Sequence, residues 1–113
     1  MISNCFSEEV GIIKQSILYP YFDVSCLSYE LGMKKPDKRI FKKCANELGV
    51  LENECLYVGD GGSNELEAAS SVGMKPVQAI WFINEYSQQS KIRDEYDHIK
   101  TPLEIINKLN LKY

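Results

Sequence analysis

Two acids, one lysine and a Ser-Asn pair are the residues of this 113-residue chain whose types and neighbours suit chemistry. Asp60 and Glu65 stand five apart in "CLYVGDGGSNE" (55–65), where an apolar run ends on Gly59 and Asp60, a loop of small residues comes next, and Glu65 opens a helix-like segment. One tight loop can bring both carboxylates to one pocket. Hard oxygen donors of this kind suit Mg²⁺, which takes one or two protein carboxylates and leaves its other positions to water and phosphate. Strand-end acids before glycines also act as turn formers and helix caps, so the spacing alone leaves both readings open. In "GMKKPDKRIF" (32–41), Lys35 precedes Pro36, which disfavours helix for the lysine and starts it for the residues beyond the proline. An ammonium fixed beside a helix N-terminus suits a phosphoryl group. Lys38, Arg39, Lys42 and Lys43 read instead as a solvated helix face. Ser3 and Asn4 offer a hydroxyl and backbone N–H groups to a phosphate oxygen, and equally suit a turn or cap. The glycines of "GDGG" belong to no GxxxxGK[ST] or GxGxxG fingerprint, which leaves a nucleotide or dinucleotide site unsupported.

The elements that must position these residues can be traced by periodicity. "EEVGIIKQSIL" (8–18) places Val10, Ile13, Ile17 and Leu18 at helical spacing, with Pro20 limiting extension. "FDVSCLS" (22–28) alternates as a short strand does. Pro36 opens a second helix whose stripe of Ile40, Phe41, Cys44, Ala45 and Leu48 ends at Gly49. "ECLYVGD" (54–60) is apolar on consecutive positions, as expected of a strand covered on both faces. "NELEAASSVGM" (64–74) predicts a short helix stopped by Gly73, and "KPVQAIWF" (75–82) another strand. "NEYSQQSKIRDEYDHIK" (84–100) reads as polar loop with a helical turn at most. In "TPLEIINKLNL" (101–111), Thr101 is the expected N-cap, Pro102 the first helical residue, and Leu103, Ile106 and Leu109 share one face. Alternating strands and helices predict a single α/β domain over 1–113, an open and mostly parallel sheet flanked by helices. Such sheets hold ligands at the carboxyl ends of their strands, where Asp60 lies.

Composition narrows the partners. The net charge of −3 and the pI near 5.2 give no reason to expect nucleic acid or an anionic membrane as the main partner. No apolar run reaches the roughly 18 residues of a membrane span, and the start lacks signal-peptide features, so the cytoplasm is the expected location. Cys5, Cys26, Cys44 and Cys55 form no CxxC pair and no cluster with His98, which predicts reduced, buried thiols rather than zinc ligands or disulfides.

Taken together and in order, "SN" after a strand, "KKPDKRIFKKCANELGV", "ECLYVGDGGSNELEAASSVGM" and the late "YDHIKTPLEIINKL" resemble the successive core motifs of the haloacid dehalogenase superfamily, especially its phosphoglycolate-phosphatase-like members. The resemblance implies a Rossmann-like core, Mg²⁺ as cofactor and a small phosphorylated metabolite as substrate. It implies that Ser3, with the Asn4 backbone, hydrogen-bonds the transferring phosphoryl group, and that Lys35 neutralises charge between nucleophile and phosphate. Asp60 would help hold Mg²⁺, and Glu65, in a position more often Asp, would support the metal or its waters.

One motif of that family is missing. Its reaction starts with an aspartate attacking phosphorus, in a DxDx[TV] motif ending the first strand. This chain has only Asp23, Asp37, Asp60, Asp94 and Asp97, and none stands as DxD. The likeness begins at Ser3, so the nucleophile strand and the cap are expected to lie upstream of Met1. Activity of the chain alone is expected to be nil or very weak. The alternatives are a non-catalytic phosphate- and metal-binding or interaction module, or the remnant of an interrupted gene. Two strand edges would be left without partners, which predicts self-association or a complementing chain.

Overall fold

The computed structural model describes residues 1–83 and 91–109. Its elements run β1 (Ile2–Ser3), α1 (Ser7–Gln15), β2 (Cys26–Leu27), α2 (Ser28–Leu31), α3 (Lys38–Leu48), β3 (Leu56–Gly59), α4 (Glu65–Ser71), β4 (Lys75–Ala79), β5 (Asp97–Ile99) and α5 (Glu104–Lys108). The α/β class with parallel strands is as expected, but the sheet is in two pieces. Among the described residues β1 pairs with β2 alone, and β3, β4 and β5 form a second sheet in that order. Every pairing is parallel.

α3 holds the two pieces on one core. Asp37 caps it by accepting the Arg39 N–H at 2.9 Å, and Gly49, at φ 75°, closes it in the left-handed region that a side chain disfavours. Between these stops Ile40, Phe41, Cys44 and Ala45 fall on one face and are buried. That face packs with Cys26 of β2 and with Ala68, Ala69 and Met74 around α4, while Ile2 and Tyr57 pack against the same cluster from β1 and β3. Phe41 and Ile40 are fully buried, and each contributes ~1.5–3 kcal/mol relative to exposure. The small residues at 68 and 69 allow α4 to come close.

β4 sits in the middle of its sheet and still contains Pro76. The Lys75 N–H donates to the Cys55 carbonyl, so odd-numbered residues of β4 face β3 and even-numbered ones face β5. β5 begins opposite Val77, and Pro76 therefore sits where no partner needs its missing N–H.

Several expected boundaries shift. The first helix stops at Gln15, and Ile17 and Leu18 lie beyond it, exposed. The strand expected over 22–28 shrinks to Cys26–Leu27, because β1, its one neighbour, is only two residues long. A strand, β5, stands at the end of the stretch expected to be loop. The last helix begins at Glu104 and not at Pro102, after turns in which the Glu104 and Ile105 amides donate to the Thr101 and Pro102 carbonyls. Leu103, Ile106 and Leu109 are exposed. All four residues of β3 are half-buried, where the consecutive apolar pattern predicted full cover, because no described strand lies beside its outer edge. Residues 84–90 of the polar stretch and 110–113 of the last one fall outside the described residues. Cys5, Cys26 and Cys44 are buried free thiols, and Cys55 is half-buried. Burial, then its neighbour Cys44, pushes the Cys26 thiol up to about 11. No described helix is long and apolar enough to cross a membrane.

Candidate functional site

Three of the five residues singled out by type and spacing, Asn4, Lys35 and Glu65, meet through direct contacts at the carboxyl ends of β1 and β3, with Asp60 next to them in the chain of contacts. Asn4 comes just after β1 and grips the peptide unit of Lys35 from both sides. The Lys35 N–H donates to Asn4 Oδ1 at 2.8 Å, and Asn4 Nδ2 donates to the Lys35 carbonyl at 3.1 Å. The two-way bond fixes the lysine backbone, at a cis Lys35–Pro36 peptide, next to the end of the strand. From there the side chain reaches across to α4, where Lys35 Nζ donates to Glu65 Oε1 at 3.0 Å. Both side chains are well covered, 15% exposed for Lys35 and 6% for Glu65. This bond uses one of the ammonium's three donors.

Glu65 is the hub. The Tyr57 hydroxyl donates to Oε1 at 2.6 Å, and the Gly61 N–H donates to Oε2 at 3.0 Å. A carboxylate buried to this degree persists only when its oxygens are paired, and here an ammonium, a phenol and a backbone amide share the task. Burial, then the Glu65 charge, holds the Tyr57 hydroxyl far above the ordinary phenol range, so it remains a neutral donor. Gly59 is required beside this group, because a Cβ there would lie 2.6 Å from Glu65 Cδ.

Asp60 starts the loop between β3 and α4. Its Oδ1 accepts the Gly62 N–H at 2.9 Å, and its carbonyl accepts Gln78 Nε2 at 2.9 Å. Gln78 is fully buried on β4, and its Nε2 also donates to the Lys91 carbonyl at 2.6 Å while its Oε1 accepts the Arg93 N–H at 2.8 Å. One amide therefore ties the Asp60 backbone to the segment leading to β5. Past Asp60 the loop is strained: Ser63 and Asn64 both adopt positive φ, 57° and 51°, without being glycine. Such backbone is retained only where the surroundings fix it. The Ser3 hydroxyl makes no hydrogen bond among the described residues. A hollow of about 650 Å³ opens between Asn4 and Cys5 on one wall and Gly62 and Ser63 on the other, with Lys34 and Ser28 also at its surface.

Asn4, Lys35 and Glu65 are thus directly linked, and Asp60 joins them through the Gly61 amide. Tyr57 and Gln78 were not legible as site residues. For Gln78 the available signal was a polar residue set inside the apolar run of a strand. Tyr57 gave none, since tyrosine in such a run reads as core.

The family model for haloacid dehalogenase-like hydrolases matches residues 1–73, well over half of the chain, including Asn4, Lys35, Asp60 and Glu65. The chain belongs to this family. Among its curated relatives, a glyceraldehyde 3-phosphate phosphatase of Pyrococcus furiosus is 33% identical over 87 residues, 74% of this chain and 34% of that protein. Human N-acylneuraminate-9-phosphatase is 33% identical over 61 residues, 54% of this chain and 24% of that protein. Among solved structures, a haloacid dehalogenase family phosphatase from Thermococcus onnurineus superposes with a TM-score of 0.73 at 27% identity, covering 93% of this chain and 46% of that one. An Asp-to-Ala variant of a family enzyme from Bacteroides thetaiotaomicron, in complex with magnesium and inorganic phosphate, matches with a TM-score of 0.50 at 27% identity, over 58% of this chain and 33% of that one. The chain spans about half the length of the first of these structures and 34% and 24% of the two curated relatives.

Proposed function

We propose that this chain is the phosphate- and metal-handling part of a Mg²⁺-dependent phosphomonoester hydrolase of its family, acting on a small phosphorylated metabolite, and that alone it binds without turning substrate over. The observation that carries the reading is the Asn4–Lys35–Glu65 chain of contacts, which holds a covered ammonium where β1 and β3 both end. A point charge held this way costs no reorganisation when a phosphoryl group arrives. The names of the relatives, phosphatases of small phosphorylated compounds, support the substrate class.

Placement suggests the roles. The Ser3 hydroxyl and the Asn4 backbone would bind a phosphoryl oxygen, and Lys35 would neutralise it. Glu65, with both oxygens already accepting protein donors, orients Lys35 and the Gly61 turn and would support the metal or its waters. Asp60 is the acid that would face Mg²⁺. As a donor set, two carboxylates suit the ion, but among the described residues no group of three or more His, Cys, Asp or Glu could hold a metal. The chain therefore fits one side of a magnesium site, with the other ligands coming from water, phosphate and a further acid. When bound, the ion supplies charge neutralisation at the phosphoryl oxygens. No aspartate of this chain stands where the family's nucleophile would, so the covalent route is closed to it alone.

The test is a pair of measurements on the pure chain. Mg²⁺ with inorganic phosphate should raise the melting temperature, Lys35→Ala should abolish the rise, and no Mg²⁺-dependent hydrolysis of p-nitrophenyl phosphate should be seen. A rise that survives Lys35→Ala, or clear turnover, would overturn the reading.

A further inference from the structure

We propose that the hollow beside the phosphate site seats the organic body of the substrate, with the Phe6 ring as its apolar wall and the Lys34 ammonium as the anchor for a second anionic group. The inference rests on the proposed phosphate site and says which phosphomonoesters that site selects: short ones that carry a further negative charge. Size is the first reason. The hollow measures about 650 Å³, and sites for small organic ligands run from about 300 to 1,000 Å³. Neither Ser3 nor Lys35 is at its surface, whereas Asn4 is, so the hollow starts where the phosphate site ends. It has room for more than a phosphoryl group.

One wall is held by hydrogen bonds on both sides of the Cys5 peptide. Ser28 Oγ accepts the Cys5 N–H at 2.8 Å and donates to the Cys5 carbonyl at 3.1 Å, and both residues are 9% exposed. The next amide, that of Phe6, donates to Glu9 Oε1 at 2.9 Å. The backbone that carries the Phe6 ring is therefore fixed, while Phe6 itself is 75% exposed at the surface of the hollow. An aromatic ring held in place and left in water gains by being covered, and the carbon skeleton of a ligand in the hollow covers it.

Charge supplies the second group. Lys34 and Lys35 are neighbours with different duties. Lys35 is covered and bonded to Glu65 at 3.0 Å. Lys34 is exposed at the surface of the hollow, and its ammonium has no ion pair among the described residues. None of the described residues lining the hollow is acidic, in a chain whose net charge is −3. A cation facing a space free of carboxylates draws an anion into it. As a compact point charge it takes a carboxylate or a second phosphate alike. Across the hollow the Ser63 hydroxyl is exposed and makes no hydrogen bond among the described residues, which leaves it to a hydroxyl of the ligand.

The test titrates the full 113-residue chain, ¹⁵N-labelled and in Mg²⁺, with inorganic phosphate, glycerol 3-phosphate, 3-phosphoglycerate and glycerol 1,3-bisphosphate, and reads each Kd from amide shifts. Glycerol 3-phosphate should bind about threefold tighter than inorganic phosphate, and Phe6→Ala should remove that gain. The two ligands with a second anion should bind about fivefold tighter again, and Lys34→Met should abolish this step while glycerol 3-phosphate stays within about twofold. Both side chains are exposed, so the variants keep the fold, which their amide spectra check. A step shown by 3-phosphoglycerate alone assigns the anchor to carboxylates, one shown by the bisphosphate alone assigns it to a second phosphate, and either supports the proposal. Equal binding by all the ligands, or a step that survives Lys34→Met, overturns it and leaves the phosphate site standing. A gain that survives Phe6→Ala overturns the aromatic wall alone. Failure of inorganic phosphate to bind overturns the phosphate site, and the role of the hollow with it.

Discussion

Lys35 and Glu65 make a covered ion pair whose energetics can be worked from its contacts. The informative set is Lys35→Met and Glu65→Gln, singly and together. Breaking a fully buried pair from one side costs ~3–5 kcal/mol, because the other charge is left alone. Removing Lys35 leaves Glu65 with the Tyr57 hydroxyl and the Gly61 amide still donating, so the expected loss is smaller, ~2 kcal/mol. Glu65→Gln keeps the volume but strands the ammonium. If the amide oxygen stays on Lys35 and Tyr57, its NH₂ also faces the Gly61 N–H, donor against donor. The expected loss is ~3 kcal/mol. In the double variant neither charge remains, so the loss should stay near ~3 kcal/mol, well short of the sum, with a coupling of ~2 kcal/mol. Urea unfolding monitored by circular dichroism gives all four stabilities, in a fixed trimethylamine N-oxide background that keeps the weaker variants folded. Single losses below ~0.5 kcal/mol with no coupling would refute the reasoning, since an exposed pair behaves that way.

Other perturbations probe the surroundings of the pair. Gly59→Ala places a methyl 2.6 Å from a carboxyl carbon held by three donors, and a loss of ~1–3 kcal/mol is expected in the same unfolding assay. Gln78→Ala leaves the Asp60 and Lys91 carbonyls and the Arg93 amide without their buried partner, for a loss of ~2–4 kcal/mol and faster amide exchange through 60–62. The raised Cys26 thiol gives a pH dependence of definite sign. Its folded value of about 11 stands above the ordinary 9.0, so the native state keeps the proton that the unfolded chain releases, and stability falls as pH rises from about 9 towards 11. Cys26→Ala should flatten that limb of a urea-midpoint profile against pH.

The parts of the fold legible in the sequence were those with local punctuation. α3 has Asp37 to start it, Gly49 to stop it and an apolar stripe between, all within one segment. β5 was hidden because Asp97 and His98 look like loop residues, and only the edge of β4 makes them a strand. β1 and β2 were hard to bound because each has a single partner. At the site, Lys35, Asn4, Asp60 and Glu65 stood out through their places before a proline, after a strand and around a glycine loop. What could not be read was how Glu65 spends its oxygens. That depends on Tyr57 and Gly61, brought to it by folding, which share the carboxylate with Lys35.

The central claim is that a phosphate site survives at the shared end of β1 and β3. The most direct measurement is a titration of the ¹⁵N-labelled chain with inorganic phosphate and Mg²⁺, read from backbone amide shifts. Saturable shifts centred on Asn4, Lys35 and Gly61, lost in Lys35→Ala, are predicted. Shifts that are absent, or that gather elsewhere on the molecule, would contradict it.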